Sequence, residues 1–261
     1  MVKGVEMSFV KIYREGRTSI VSLNRPERLN AIGLELLEDL HTALCEAQND
    51  PQTQVIILTG EGRAFCAGDD LKEYGEYEGK PDSATGICQA IQQISRDLML
   101  GPKLVIGAMS GYAVGGGFEW LLNCDFVIAS EDLVCFFPEM SLGHFVTGGV
   151  TVLLPLGVGY HKAMELLVLG EHVDADALLK LGLIYRKVAA DELMPAALHL
   201  ARQLETRSEA ATMQLKRLMI SNAMPKFVQA LDDEERAAAE CFYMEDTVKR
   251  IRAFTENQPG T

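Results

Sequence analysis

Gly111-Tyr112-Ala113-Val114-Gly115-Gly116-Gly117-Phe118-Glu119 is the stretch on which the fold turns. Just before it, Leu104-Val105-Ile106-Gly107-Ala108 is an all-apolar run of strand length. The glycine run then opens a helix to Cys124, and Asp125–Ala129 reads as the next strand. Working outward, Val55-Ile56-Ile57-Leu58 is another apolar strand closed by Thr59-Gly60. Leu34, Leu37, Leu40, Ala43, Leu44 and Ala47 recur at helical steps from Gly33 to Gln48, and a second helix is predicted over Thr85–Met99. At the start of the chain, Phe9–Tyr13 and Ser19–Leu23 flank a turn-like Arg-Glu-Gly-Arg segment and read as a hairpin. Apolar strands alternating with helices define an α/β class with a mostly parallel sheet covered on both faces.

After Tyr160 the pattern is largely helical, with one short strand near Leu183–Val188. No internal repeat or linker interrupts it. We expect an α/β core over 1–200 carrying the active site and a helical C-terminal region over 201–261. Its last helix, from about Lys226 to Asn257, is expected to pack on the core or on a partner subunit.

The chain has 261 residues, 48% hydrophobic and 23% charged, as in ordinary globular proteins. With 24 basic against 37 acidic residues the formal charge is -13, which opposes binding to nucleic acid or to anionic membrane surfaces. The start lacks a signal-peptide core, and no uncharged stretch reaches the roughly 18 apolar residues of a spanning helix, so a cytoplasmic protein is expected. The six cysteines form no CxxC pair and are read as reduced and mostly buried.

Several sharp-looking motifs fail. Gly75–Lys80 is one residue short of a phosphate loop, and Pro81 stands where a Ser or Thr is needed. Gly60-Glu61-Gly62 lacks the third glycine of a dinucleotide fingerprint, and Ser110 is not in a hydrolase elbow. The five histidines show no metal-ligand spacing, so no metal is expected.

Two glycine-rich turns survive. Gly62–Lys72 follows a buried strand, and its small residues let backbone N–H groups approach an anion. Gly115-Gly116-Gly117 opens a helix whose first N–H groups suit an oxyanion, with Glu119 close behind. A second acid, Glu139, follows Phe136-Phe137-Pro138 at the end of a further predicted strand. Two carboxylates beside an oxyanion site suit acid–base chemistry next to a carbonyl.

These segments, with Asn24-Arg25-Pro26, Asn30-Ala31, LNCDFVIAS, FPEMSLG, LGLIYRKV and RIRAFTENQ, resemble the enoyl-CoA hydratase/isomerase (crotonase) superfamily nearly end to end. The resemblance implies a crotonase-like ββα spiral core with a helical C-terminal extension. It implies that the N–H groups of Asp69 and Gly116 form an oxyanion hole for an acyl-CoA thioester. Arg28, Leu29, Ala67, Gly68, Asp70, Leu71, Lys72 and Gly115 would border the CoA and substrate, with Arg28 and Lys72 as local cations. Glu119 and Glu139 match the two glutamates of the family's hydratases, Glu139 delivering the proton to C2 and Glu119 activating water. Coenzyme A enters only as part of the substrate, with no permanently bound cofactor. A homotrimer or dimer of trimers is implied.

The leading expectation is hydration of a 2-enoyl-CoA. The alternatives are double-bond isomerase or hydrolase chemistry and, from another class, RNA binding or a retired CoA-binding scaffold. The acidic Asp69 would oppose negative charge in the hole if its side chain points inward. The segment His144–Thr151 departs from the family's Pro-Gly-rich pattern, which points to an unusual acyl group, and His144 and Thr147 there either add a polar contact or pack the loop.

Overall fold

The computed structural model describes residues 7–74, 81–242 and 244–256. Val10–Glu15 (β1) and Thr18–Leu23 (β2) form the predicted antiparallel hairpin. Leu34–Asn49 (α1) follows and leads into Val55–Gly60 (β3), parallel to β2 from Thr18↔Val55 to Leu23↔Gly60. Leu71–Tyr74 (α2) and Pro81–Leu100 (α3) precede Leu104–Met109 (β4), which runs parallel to β3. The phosphate-loop look-alike Gly75–Lys80 lies outside the described residues. Next come Tyr112–Val114 (β5), Gly116–Asn123 (α4), Phe126–Ser130 (β6) and Val134–Phe136 (β7).

Glu139–Leu142 (α5), Val150–Val158 (α6), Tyr160–Leu169 (α7), Val173–Asp174 (β8), Ala175–Leu181 (α8) and Arg186–Val188 (β9) complete the α/β portion. Leu193–Glu205 (α9), Glu209–Ala223 (α10), Phe227–Phe242 (α11) and Glu245–Glu256 (α12) close the chain.

The larger sheet runs β1-β2-β3-β4-β6-β9, parallel except for the hairpin, as the apolar strands require. Alternate side chains serve opposite faces. Val21, Ile56, Leu58, Val105 and Val127 join the cluster with α1, α3 and α4, while Ile20, Ile57, Ile106 and Ile128 meet Leu193, Ala197 and Leu200 of α9.

A smaller sheet, β5-β7-β8, positions the site. β5 and β7 are parallel and in register, Tyr112↔Val134 to Val114↔Phe136, so both chains emerge at the same end. Cys66 bridges Ala113 on the other side, with Val114 N–H donating to Cys66 O at 3.0 Å. The three segments that carry Asp69, Gly116 and Glu139 therefore leave one short sheet side by side.

The expected last helix is in fact two. Met244 N–H donates to Cys241 O between α11 and α12, and Thr247 at the start of α12 donates its hydroxyl to Gly143 O at 2.9 Å. The C-terminal region also folds onto its own core. Lys216 of α10 is buried, its ammonium donating to Leu98 O, Lys103 O and the Asp125 carboxylate at 2.7 to 3.0 Å. Such a lysine is tolerable only because its charge and donors are met.

Candidate active site

Gly115 enters α4 with φ 51° and ψ -118°, a backbone shape that favours glycine. A side chain there would also start 2.6 Å from Glu139 Oε1. Gly116, the first residue of the helix, has Ile32 Cδ1 within 2.6 Å of the same point. Among the described residues, neither the Gly116 nor the Asp69 N–H is given to another backbone group. The flanking groups are engaged instead: Asp70 N–H donates to Ile32 O, Ile32 N–H to Gly68 O, and Gly115 N–H to Phe136 O. Two backbone donors are thus left over beside one cavity.

That cavity, about 30 Å³, has room for a water or two. It is lined by four of the predicted residues, Asp69, Gly116, Glu119 and Glu139. It also meets His144 and Thr147 from the atypical loop, and Ala238, Ala239 and Phe242 of α11. The α11 wall was not foreseen, since the helix was read only for its packing.

The two glutamates are buried but treated differently. Glu119 accepts the Thr147 N–H on Oε1 at 2.8 Å and the Thr147 hydroxyl on Oε2 at 3.1 Å. Burial raises its pKa to about 8, and the Thr147 donors pull against that rise. Glu139 sits at the start of α5, and its Oε2 has no hydrogen-bond partner among the described residues. Burial, followed by the Glu119 charge, pushes Glu139 well above the ordinary carboxylate range. Burial raises both carboxyls, while the Thr147 donors favour the ionised form of Glu119 and no donor meets Glu139 Oε2 among the described residues.

Asp69 lines the same cavity. Its Oδ1 lies 4.0 Å from where a Gly116 side chain would begin, and burial lifts its pKa to about 6. His144, in the same cavity, is held neutral by burial, with its pKa lowered to about 4. Cys66 is fully buried and its thiol pushed up to about 12, so it is no nucleophile.

The remaining predicted residues surround the site without lining this cavity. Leu29 adopts the left-handed conformation at φ 54° and accepts the Ala67 N–H at 3.0 Å, tying two turns together. Gly68, at φ 81°, passes close to Val114 O. Arg28 is not an open cation: its guanidinium binds both oxygens of the buried Asp70 at 2.9 Å. Arg25 joins the same carboxylate at 3.2 Å and reaches Glu73 at 2.9 Å. Leu71 and Lys72 open α2, and Lys72 is exposed.

Sequence reasoning missed Glu234. It is 1% exposed on α11 and accepts the N–H groups of Gly149 and Thr151 and the Thr151 hydroxyl at 2.6 to 2.8 Å. It caps α6 from another helix, and its neighbours Asp232, Asp233 and Glu235 disguise it as part of a solvated face.

A parallel core that gathers two carboxylates and two spare N–H donors at one sheet end is an arrangement suited to acid–base chemistry. The enoyl-CoA hydratase/isomerase family profile matches residues 15–260, and the chain belongs to that family. It is 32% identical over 258 residues to a short-chain-enoyl-CoA hydratase of Clostridium acetobutylicum, covering 97% of each chain. It is 31% identical over 253 residues to a probable enoyl-CoA hydratase of Bacillus subtilis, again 97% of each. The crystal structure of an enoyl-CoA hydratase/isomerase from Xanthobacter autotrophicus Py2 superposes with a TM-score of 0.89 at 28% identity, over 97% of this chain and 94% of that one. The fold is that of the crotonases, an α/β core with a helical C-terminal region. No helix among the described residues is long and apolar enough to cross a membrane.

Proposed function

We propose that this enzyme adds water across the double bond of a 2-enoyl-CoA thioester. The observation that carries the reading is the unequal pair in one cavity: Glu119 held by two Thr147 donors, Glu139 held by none on Oε2. The thioester oxygen accepts from the Asp69 and Gly116 N–H groups, which stabilises the enolate as it forms. Ionised Glu119 orients water and takes its proton as oxygen attacks C3. Glu139 gives its proton to C2. Coenzyme A arrives and leaves with the substrate, its carrier lying along Leu29, Ala67, Gly68, Leu71 and Lys72. The Arg28–Asp70 pair fixes that loop, leaving Lys72 as the cation for a phosphate.

The cavity as closed is smaller than an acyl group, so the acyl chain enters by displacing the α11 wall at Phe242. Oligomerisation fits the apolar surface left over: Leu169 on α7 and Leu215 on α10 are 64% and 61% exposed.

A panel of 2-enoyl-CoA thioesters, followed by loss of the conjugated absorbance, tests the activity. Glu119→Gln and Glu139→Gln should each lower kcat by about 10²–10⁴-fold, the usual worth of a general acid or base. No turnover on any chain length would reject the reading. Conversion of 3-enoyl-CoA by Glu119→Gln would mark an isomerase instead.

A further inference from the structure

Away from the active site, His41 and Cys45 stand one turn apart on α1, and Asp97 faces them from α3. His41 Nδ1 lies 2.6 Å from Asp97 Oδ2 and 3.7 Å from Cys45 Sγ. One donor atom from each residue falls within 4.8 Å of the others, a gathering of His, Cys and Asp not repeated among the described residues. We propose that this imidazole, thiol and carboxylate form a zinc-class metal site that clamps α1 to α3. The site goes beyond hydratase chemistry and does not depend on it.

The geometry is close to what zinc needs. Bonds of about 2.3 Å to sulfur and 2.0 Å to nitrogen at a tetrahedral angle put those atoms roughly 3.5 Å apart. The sulfur lies 3.7 Å from Nδ1 and 3.8 Å from Nε2, so its spacing fits but the imidazole must turn to aim the Nδ1 lone pair between sulfur and carboxylate. Nitrogen and carboxylate oxygen must open by roughly 0.7 Å, as a metal replaces the hydrogen between them. His41 has the freedom to do so, its side chain being 43% exposed.

The donor set is equally apt. Nitrogen, sulfur and oxygen together favour a borderline cation over magnesium or calcium. Thiolate and carboxylate balance the charge of a dication. Burial and the Asp97 charge raise the Cys45 thiol, so the metal must drive off its proton on binding. Asp97 is also held from behind: Gln93 Nε2 donates to Oδ1 at 2.8 Å, leaving Oδ2 turned to His41. Such an outer hydrogen bond commonly aims a metal-ligating carboxylate. A solvent-open surface cavity adjoins Cys45 and Asp97, giving the cation entry and a place for a water as fourth ligand.

Cobalt(II) titration of the full chain, purified without metal, tests the assignment. One Co²⁺ per chain should bind and give a thiolate-to-cobalt charge-transfer band with tetrahedral ligand-field bands, displaced by Zn²⁺. Cys45→Ser and Cys45→Ala should each abolish the charge-transfer band. His41→Gln and Asp97→Asn should weaken binding by more than the roughly 10–100-fold typical of an outer-shell partner. Thermal melting should show Zn²⁺ raising Tm of the unmodified protein and of none of the folded variants. The proposal is overturned if no charge-transfer band appears, if the band survives both Cys45 variants, or if binding is unchanged in both His41→Gln and Asp97→Asn. None of these readouts depends on enoyl-CoA turnover.

Discussion

Glu234 Oε2 accepts the N–H of Gly149 at 2.7 Å, so a carboxylate on α11 caps a helix 85 residues earlier in the chain. The same short loop continues to Gly148, whose carbonyl accepts Asn123 Nδ2 at 3.0 Å, and to Thr147, which holds Glu119. Glu234 therefore sets the position of the Thr147 donors without touching the cavity. Glu234→Ala strands two N–H groups and should cost about 1.5–3 kcal/mol for each lost bond to a charged acceptor. Its kcat should fall roughly tenfold with KM nearly constant, because donor placement rather than substrate contact is disturbed. Glu234→Gln, which keeps an acceptor, should recover most of both. Urea melts and steady-state kinetics on both variants decide it; equal kcat in Glu234→Ala and wild type would end the argument.

Thr147→Val keeps the backbone donor to Glu119 and removes the hydroxyl at 3.1 Å. That hydroxyl favours the ionised form, so its loss should raise the Glu119 pKa above about 8. The rise of kcat/KM with pH should move to higher pH by up to about one unit, the equivalent of one hydrogen bond of 1.4 kcal/mol. A pH–rate profile that superposes on wild type would refute the role.

Glu119 was legible from the glycine run that opens its helix, and Glu139 from the predicted strand that it follows. The parallel β5–β7 register that makes the two segments neighbours was not legible, because Tyr112–Val114 reads as part of a glycine-rich turn rather than as a strand. Glu234, Phe242 and the Arg28–Asp70 pair were not legible, for a shared reason. Each takes its meaning from a partner far along the chain, and local spacing carries no trace of it. Asp232–Arg236 looks like a solvated charge run until α6 places its N-terminus against one member. Splitting the last helix was equally invisible, since α11 and α12 share one continuous polar and apolar rhythm. His41 and Cys45 are four apart in sequence, but Asp97 joins them only once α3 lies across α1.

Asp69→Asn keeps the backbone N–H and removes a titrating group with a pKa near about 6. On the proposed reaction, the ionised side chain above that pH would oppose the enolate held by the Asp69 and Gly116 N–H groups, and the neutral acid below it would not. The variant should outpace wild type by roughly tenfold at pH 8, with the advantage shrinking below pH 6. Parallel kcat/KM profiles for the two proteins would show that the Asp69 charge is not felt by the reaction.

Burying carboxyls also bears on stability. Glu119 and Glu139 have folded pKa values raised above their ordinary 4.5. The folded chain then binds more protons than the unfolded one from about pH 4.5 upward, so stability falls as pH rises through that window toward pH 8. Glu139→Gln removes part of this slope. Its Tm should exceed wild type at pH 8 by at least the roughly 2–4 °C that 1 kcal/mol makes in a chain of this size, and approach it at pH 5. Scanning calorimetry across that range reads the difference directly; a gap that stayed constant with pH would contradict the linkage.

Phe242 tests how substrate enters. Its ring lies 5.8 Å from His144, centroid to centroid, and with Ala238 and Ala239 it walls the cavity on the α11 side. If this wall limits acyl size, Phe242→Ala should lower KM for long or branched 2-enoyl thioesters by roughly 10-fold, about the discrimination available from one or two methylene-sized contacts. Crotonyl-CoA, the small member of the panel, should gain little and lose some kcat as water reaches Glu139 more freely. Truncating Phe242 also removes a large ring, at a cost of at most about 3–5 kcal/mol, so folding is checked first by a thermal melt. A uniform change in KM across all chain lengths would show that the acyl group passes elsewhere, and that Phe242 serves only to pack α11 against the loop at His144.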